Sequence, residues 1–180
     1  MMQGPLFQLF VPKQAVGANL VYFDLFNASG SAHELYLYSA WPVVSGAVAV
    51  TGTVGVDVFL TRTTAIGTGG TAATFNGTDP TACTISTRDS TANLANGISA
   101  RLTPSGGATA GAVLSWDSLF TEETNSATYT PSLDLARTDA AFTPILVPEG
   151  TGIRVVQGNV ASVGNIGFNV IFRTRNKSAV

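Results

Sequence analysis

One histidine, His33, and one cysteine, Cys83, are all that this 180-residue chain offers of the two side chains on which most nucleophilic, acid–base and transition-metal chemistry rests. A Ser-His-Asp triad would have to use His33, and no Gly-x-Ser-x-Gly elbow presents a serine to it. A single cysteine forms no intrachain disulfide, so Cys83 is expected to be a buried, inert thiol. Neither a cofactor nor a catalytic role is expected.

Charge is scarce too. Charged residues make up 11% of the chain, against roughly 25% in an ordinary soluble domain. Nine basic and eleven acidic residues are spread along it with a net charge of −2, which leaves no electrostatic footprint for nucleic acid. The one basic cluster, Arg173, Arg175 and Lys177, alternates along the end of a strand, as cations do where they keep a sheet edge from pairing. What covers such a surface is Thr, Ser, Asn, Gly and Ala, a composition that suits extracellular or virion proteins and neutral all-β surfaces and equally fits a chain hiding much of its outside against neighbours. No window approaches eighteen uninterrupted apolar residues, and the opening "MMQGPLFQLFVPKQAVG" has no basic segment leading into a long apolar core. Neither a membrane span nor a signal peptide is expected.

What is present is alternation with period two. In "TVGVDVFLT", Val54, Val56, Val58 and Leu60 fall on one face and Gly55, Asp57, Phe59 and Thr61 on the other; in "IGFNVIFRT", Ile166, Phe168, Val170 and Phe172 oppose Gly167, Asn169, Ile171 and Arg173. Weaker strands are expected at "NLVYFDLFN", "HELYLYSA", "AVAVT", "GISARLT", "FTPILV" and "GIRVVQ", each bounded by Gly, Asn, Ser or Pro. The "NASGSAHE" between the first two of these suits a hairpin turn that would make them antiparallel neighbours. Residues 67–96 and 121–139 read as long loops. The one helical candidate, "AVLSWDSLFTEE", with Val113, Trp116 and Phe120 at near-helical spacing, reads equally as a strand followed by a loop. Eight to ten short strands with hardly a helical period point to an all-β fold, an antiparallel, jelly-roll-like β-sandwich. Residues 18–180 form that single domain, and residues 1–17 supply either an edge strand or an arm reaching a neighbour, because an uncovered "LFQLF" would be adhesive.

Candidate chemistry is thin. Asp57, Glu122, Glu123, Asp134 and Glu149 are the carboxylates that a paired acid–base site would draw on, and Asp57 reads more simply as a residue of a wet sheet face. Asp79 and Asp139 lack the Asp-x-Asp-x-Asp spacing of a calcium loop. "GTGGT", Gly67 to Thr71, lacks the lysine and following helix of a phosphate loop. The corner in "PILVPEGTGIRVV" matches the Pro-x-Gly-x-x-His corner of metal-binding cupins up to its last position, where Ile153 stands instead of histidine. With His33 the only imidazole, no set of histidine ligands forms, and the corner is read as strand, turn, strand: Ile153 and Val155 feed the core while Arg154 leaves from the opposite face.

Three stretches, "TGTVGVDVFLTRTTAIGTGGTA", "GGATAGAVL" and "PILVPEGTGIRVVQGNVASVGNIGFNVIFRTR", together resemble small β-sandwich virion proteins of tailed bacteriophages, in which a Leu-x-Arg-x-Thr strand end leads to a Gly-Gly-Thr loop and a Pro-x-Gly-x-Gly corner precedes the last strands. The likeness spans Thr51 to Thr74 and Phe142 to Arg175, about a third of the chain. It implies a capsid decoration, or cement, protein on the outer surface of the phage head, with the major capsid protein and copies of itself, as a homotrimer, for partners, and with neither nucleic acid nor membrane. Leu6, Phe7, Leu9, Phe10 and Arg154 are the residues expected at such an interface. The alternative is a carbohydrate-binding or host-recognition module of a phage tail or fibre, for which Tyr36, Tyr38, Trp41 and Trp116 would form an aromatic platform.

Overall fold

The computed structural model describes residues 4–45, 54–89, 91–106, 110–121, 134–136, 143–161 and 164–177. Among these there is no helix, and twelve strands form two six-stranded sheets packed face to face. Sheet A runs β10 (Ile145–Val147), β3 (His33–Ser45), β12 (Asn165–Asn176), β1 (Leu6–Ala15), β7 (Thr84–Thr87), β6 (Thr74–Phe75). Sheet B runs β5 (Thr71–Ala72), β8 (Ile98–Leu102), β2 (Val21–Asn27), β11 (Thr151–Gln157), β4 (Val54–Thr63), β9 (Ala110–Thr121). All the pairings are antiparallel except the short one between β6 and β7. The β-sandwich expected from the sequence is present; its strand order does not establish the jelly-roll connectivity expected with it.

The core is built where alternation demands. Val56, Val58 and Leu60 of β4, Ile153 and Val155 of β11, and Phe23 and Leu25 of β2 meet Phe7 and Leu9 of β1, Leu35 and Leu37 of β3, and Ile166, Phe168, Val170 and Phe172 of β12. All of these are at most 1% exposed, and each buried side chain of this size contributes on the order of 1.5–3 kcal/mol. Phe7 stacks on Phe172, and Phe168 packs against both Tyr22 and Phe23.

Three expectations change in the structure. Residues 6–15 are neither an edge strand nor an arm: β1 lies inside sheet A, paired to β12 on one side and β7 on the other. An inner strand accommodates Pro12 because the register slips between Val11 and Gln14, a bulge at which a missing N–H breaks no ladder bond. Gly167 sits opposite, where a Cβ would lie 2.7 Å from the Val11 carbonyl oxygen. Second, "NASGSAHE" makes no hairpin. It carries the chain from β2 in sheet B to β3 in sheet A, because Asn27 is buried at the crossing and its Nδ2 donates to the carbonyls of His33 and Val147. Third, residues 67–96 are not all loop, since β5, β6 and β7 lie there and Cys83 and Ile85 join the core. Of the two readings open for "AVLSWDSLFTEE", the strand is present as β9, which ends at Thr121. The expected "AVAVT" strand lies outside the described residues.

Candidate functional site: the outer faces of the sandwich

The Pro148–Gly150 corner shapes the fold. It crosses from β10 in sheet A to β11 in sheet B beside the β2–β3 crossing, and the Gly150 N–H donates to the Asn27 carbonyl at 2.8 Å. Gly150 takes a φ of 73°, which glycine reaches without strain. Glu149 accepts from the Ala32 N–H at 2.5 Å and pairs with Lys177 at 3.3 Å, and these contacts, the backbone one first, hold its carboxyl below the usual range. Its oxygens thus tie two crossings and the C-terminal end of β12 together. Among the described residues no group of three or more His, Cys, Asp or Glu side chains is placed to hold a metal.

The other carboxylates are dispersed. Asp57 is exposed on the outer face of sheet B and accepts from Ser118 Oγ at 2.6 Å. Asp134 receives the Ala40 N–H at 2.7 Å and the Ser39 hydroxyl. Leu135, beside it, donates its N–H to Ala40 of β3 and accepts the Ser115 hydroxyl of β9, so this segment closes the side of the sandwich between the two sheets. Asp79 binds Thr81 within its own turn. Glu122, Glu123 and Asp139 lie outside the described residues. His33 is fixed by its Nδ1 contact to the Ser31 carbonyl and borders a surface cavity of about 470 Å³ with Gly4, Asn93, Arg175 and Asn176. Cys83 is buried, and burial pushes its thiol up to about 12.

The expected interface residues divide by strand parity. Phe7 and Leu9 are fully buried in the core and are not available to a partner. Leu6 and Phe10, with the opposite parity, stand half-buried on the outer face of sheet A. Arg154 leaves the core face as expected and pairs within the chain: its Nε donates to Asp24 Oδ1 at 2.9 Å and its Nη2 to Oδ2 at 3.4 Å. Asp24 is 0% and Arg154 7% exposed. The loop from Thr64 to Gly70 roofs the pair, with Gly67 donating its N–H to Asp24 Oδ2 at 2.7 Å and Arg101 holding the Gly69 carbonyl. "GTGGT" is therefore a lid on a structural ion pair. Burial raises the Asp24 carboxyl above its ordinary value, and the Gly67 N–H and the Arg154 charge oppose that rise. Thr61, the cross-strand neighbour of Arg154, carries a buried hydroxyl with no hydrogen-bond partner among the described residues.

The four aromatic residues expected to form one platform are split between opposite faces of the molecule. Tyr36, Tyr38 and Trp41 lie along β3 in sheet A, whereas Trp116 lies on β9, the edge strand of sheet B. The outer face of sheet A joins the first three to Leu6, Phe10, Ile171 and, on β10, Leu146. This strip crosses four strands and is interrupted by Gln8, whose amide donates to Asn169 Oδ1 at 3.3 Å and accepts from Arg88 at 3.2 Å; at one end Arg173 lies 6.0 Å from the Tyr38 ring centre and the Tyr36 hydroxyl donates to Glu34 at 2.6 Å. At the other end a groove of about 450 Å³ is lined by Phe10, Pro12, Lys13, Val43, Pro80 and Asn169. No family model, curated protein or solved structure matches the chain.

Proposed function

We propose that the chain is a structural virion protein that decorates the outside of a tailed-phage head, docking on the major capsid protein and on its own copies through the outer face of sheet A. The observation that supports this most is the outer face of sheet A, where Leu6, Phe10, Tyr36, Tyr38, Trp41 and Ile171 share one strip around the hydrogen-bonded Gln8–Asn169 pair. A flat strip of this kind suits repeated lattice contacts: the protein binds only the assembled lattice and so stabilises it by mass action, and contacts repeated around a three-fold axis add through multivalency. The resemblance of the two longest alternating segments to phage virion proteins points the same way. The test is co-sedimentation with expanded heads of the parent phage, with Phe10→Asp and Ile171→Asp as face variants. Wild-type protein is expected to pellet with the heads and both variants to remain in the supernatant. Equal pelleting of all three, or failure of the wild type to bind, overturns the proposal.

A further inference from the structure

We propose a second site, on the opposite side of the sandwich: a carbohydrate-binding platform on the outer face of sheet B, built on Trp116 and Phe59. Trp116 is 62% exposed, the most of any large apolar side chain described, and Val113 beside it on β9 is 56% exposed. A ring of this size left in water on a soluble protein marks a surface that meets something. Phe59, its cross-strand neighbour on β4, lies nearly parallel to it, with ring centres 6.4 Å apart and planes 24° apart. Two near-parallel rings make a fixed apolar wall of the kind on which the C–H face of a pyranose stacks.

The next row of the same face supplies what hydroxyls need. Asp57 and Ser118 are direct cross-strand partners, and the Ser118 hydroxyl donates to Asp57 Oδ1 at 2.6 Å, which orients that carboxylate beside the rings. Across β4 stands Gly158, where an added Cβ would come within 3.5 Å of Asp57 and 3.4 Å of Phe59. The missing side chain leaves a gap over that row. An aromatic row beside a row of carboxylate, hydroxyl and glycine matches the two chemistries of a sugar, apolar on one face and hydrogen-bonding at its rim. The carboxylate selects against acidic sugars, so the ligand class is a neutral polysaccharide.

The site does not depend on capsid binding, and its test needs no phage heads. Folded protein is run in native affinity gels containing dextran, laminarin or galactomannan, with polygalacturonate as the acidic control. Wild type is expected to be retarded by at least one neutral polymer and not by the acidic one. Trp116→Ala should abolish that retardation and Asp57→Asn weaken it severalfold, while Phe75→Ala, at an exposed aromatic on β6 of sheet A, leaves it unchanged; each variant is checked for the wild-type circular dichroism spectrum. Absence of retardation by all three neutral polymers overturns the proposal, as does retardation that survives Trp116→Ala. If Trp116→Ala instead lowers the oligomer mass while no polymer retards the wild type, the patch is a contact between copies and the proposal falls.

Discussion

Replacing Arg154 by Met removes the guanidinium and leaves the Asp24 carboxylate with no exposure and, of its described partners, only the Gly67 N–H. Breaking a buried pair from one side costs about 3–5 kcal/mol, because an uncompensated charge remains in a dry site. At roughly 2–4 °C per kcal/mol for a chain of this size, the melting temperature should fall by about 6–20 °C. The loss should depend on pH with a definite sign. Burial already holds Asp24 above its ordinary value, and without Arg154 the carboxyl rises further, so the folded state binds the proton more tightly than the unfolded state. Stability tied to that proton is fully present below the unfolded value and is lost as pH rises through the folded one. The Arg154→Met penalty is therefore largest at pH 7 and shrinks on acidification. Adding Asp24→Asn keeps an acceptor for Gly67 while removing the charge, and the double variant should return to within about 1–2 kcal/mol of wild type. Thermal unfolding followed by circular dichroism, at pH 7 and pH 4, measures all of this. An Arg154→Met protein that melts within about 2 °C of wild type at pH 7, or a loss equal at both pH values, refutes the reasoning.

Cys83, buried with its thiol pushed up to about 12, should resist iodoacetamide at pH 8 in folded protein and react only on unfolding, which mass spectrometry reads directly. Phe168→Ala, which empties a site between Tyr22 and Phe23, should cost about 3–5 kcal/mol in urea unfolding. Gly167→Ala forces a methyl to 2.7 Å from the Val11 carbonyl oxygen at the β1 bulge and should cost about 1–3 kcal/mol by the same assay. Glu149, held below its ordinary value by the Ala32 N–H and Lys177, contributes stability that is lost as pH falls through its folded value. Glu149→Gln should accordingly lower the melting temperature at neutral pH and narrow its difference from wild type in acid.

The alternating strands were legible in the residues themselves. Val56, Val58 and Leu60, and Ile166 through Phe172, each declare one face, and burial follows that parity. Which strands neighbour one another was not, since that depends on pairings distant in the chain: β1 pairs with β12, and Asp24 with Arg154, 130 residues away. The signal available was Asp24 itself, a lone carboxylate between Phe23 and Leu25 in an apolar strand, which demands a buried cation. The same parity that buries Phe7 and Leu9 exposes Leu6 and Phe10, so "LFQLF" was one segment with two roles. The near-helical spacing of Val113 and Trp116 has its origin in a bulge. Between Thr61 and Leu60 of β4, β9 carries Leu114 as an extra residue, so Val113 and Trp116, three apart as on a helix, reach the same face of a strand.

The docking face is tested most directly by a cryo-electron reconstruction of phage heads carrying the protein. The sandwich is expected on the outside of the capsid, with Leu6, Phe10, Tyr38 and Ile171 of sheet A turned against the major capsid protein or a sister copy and Trp116 directed away from it. A head with no such density, or one in which sheet A turns its outer face to open solvent, contradicts the docking proposal.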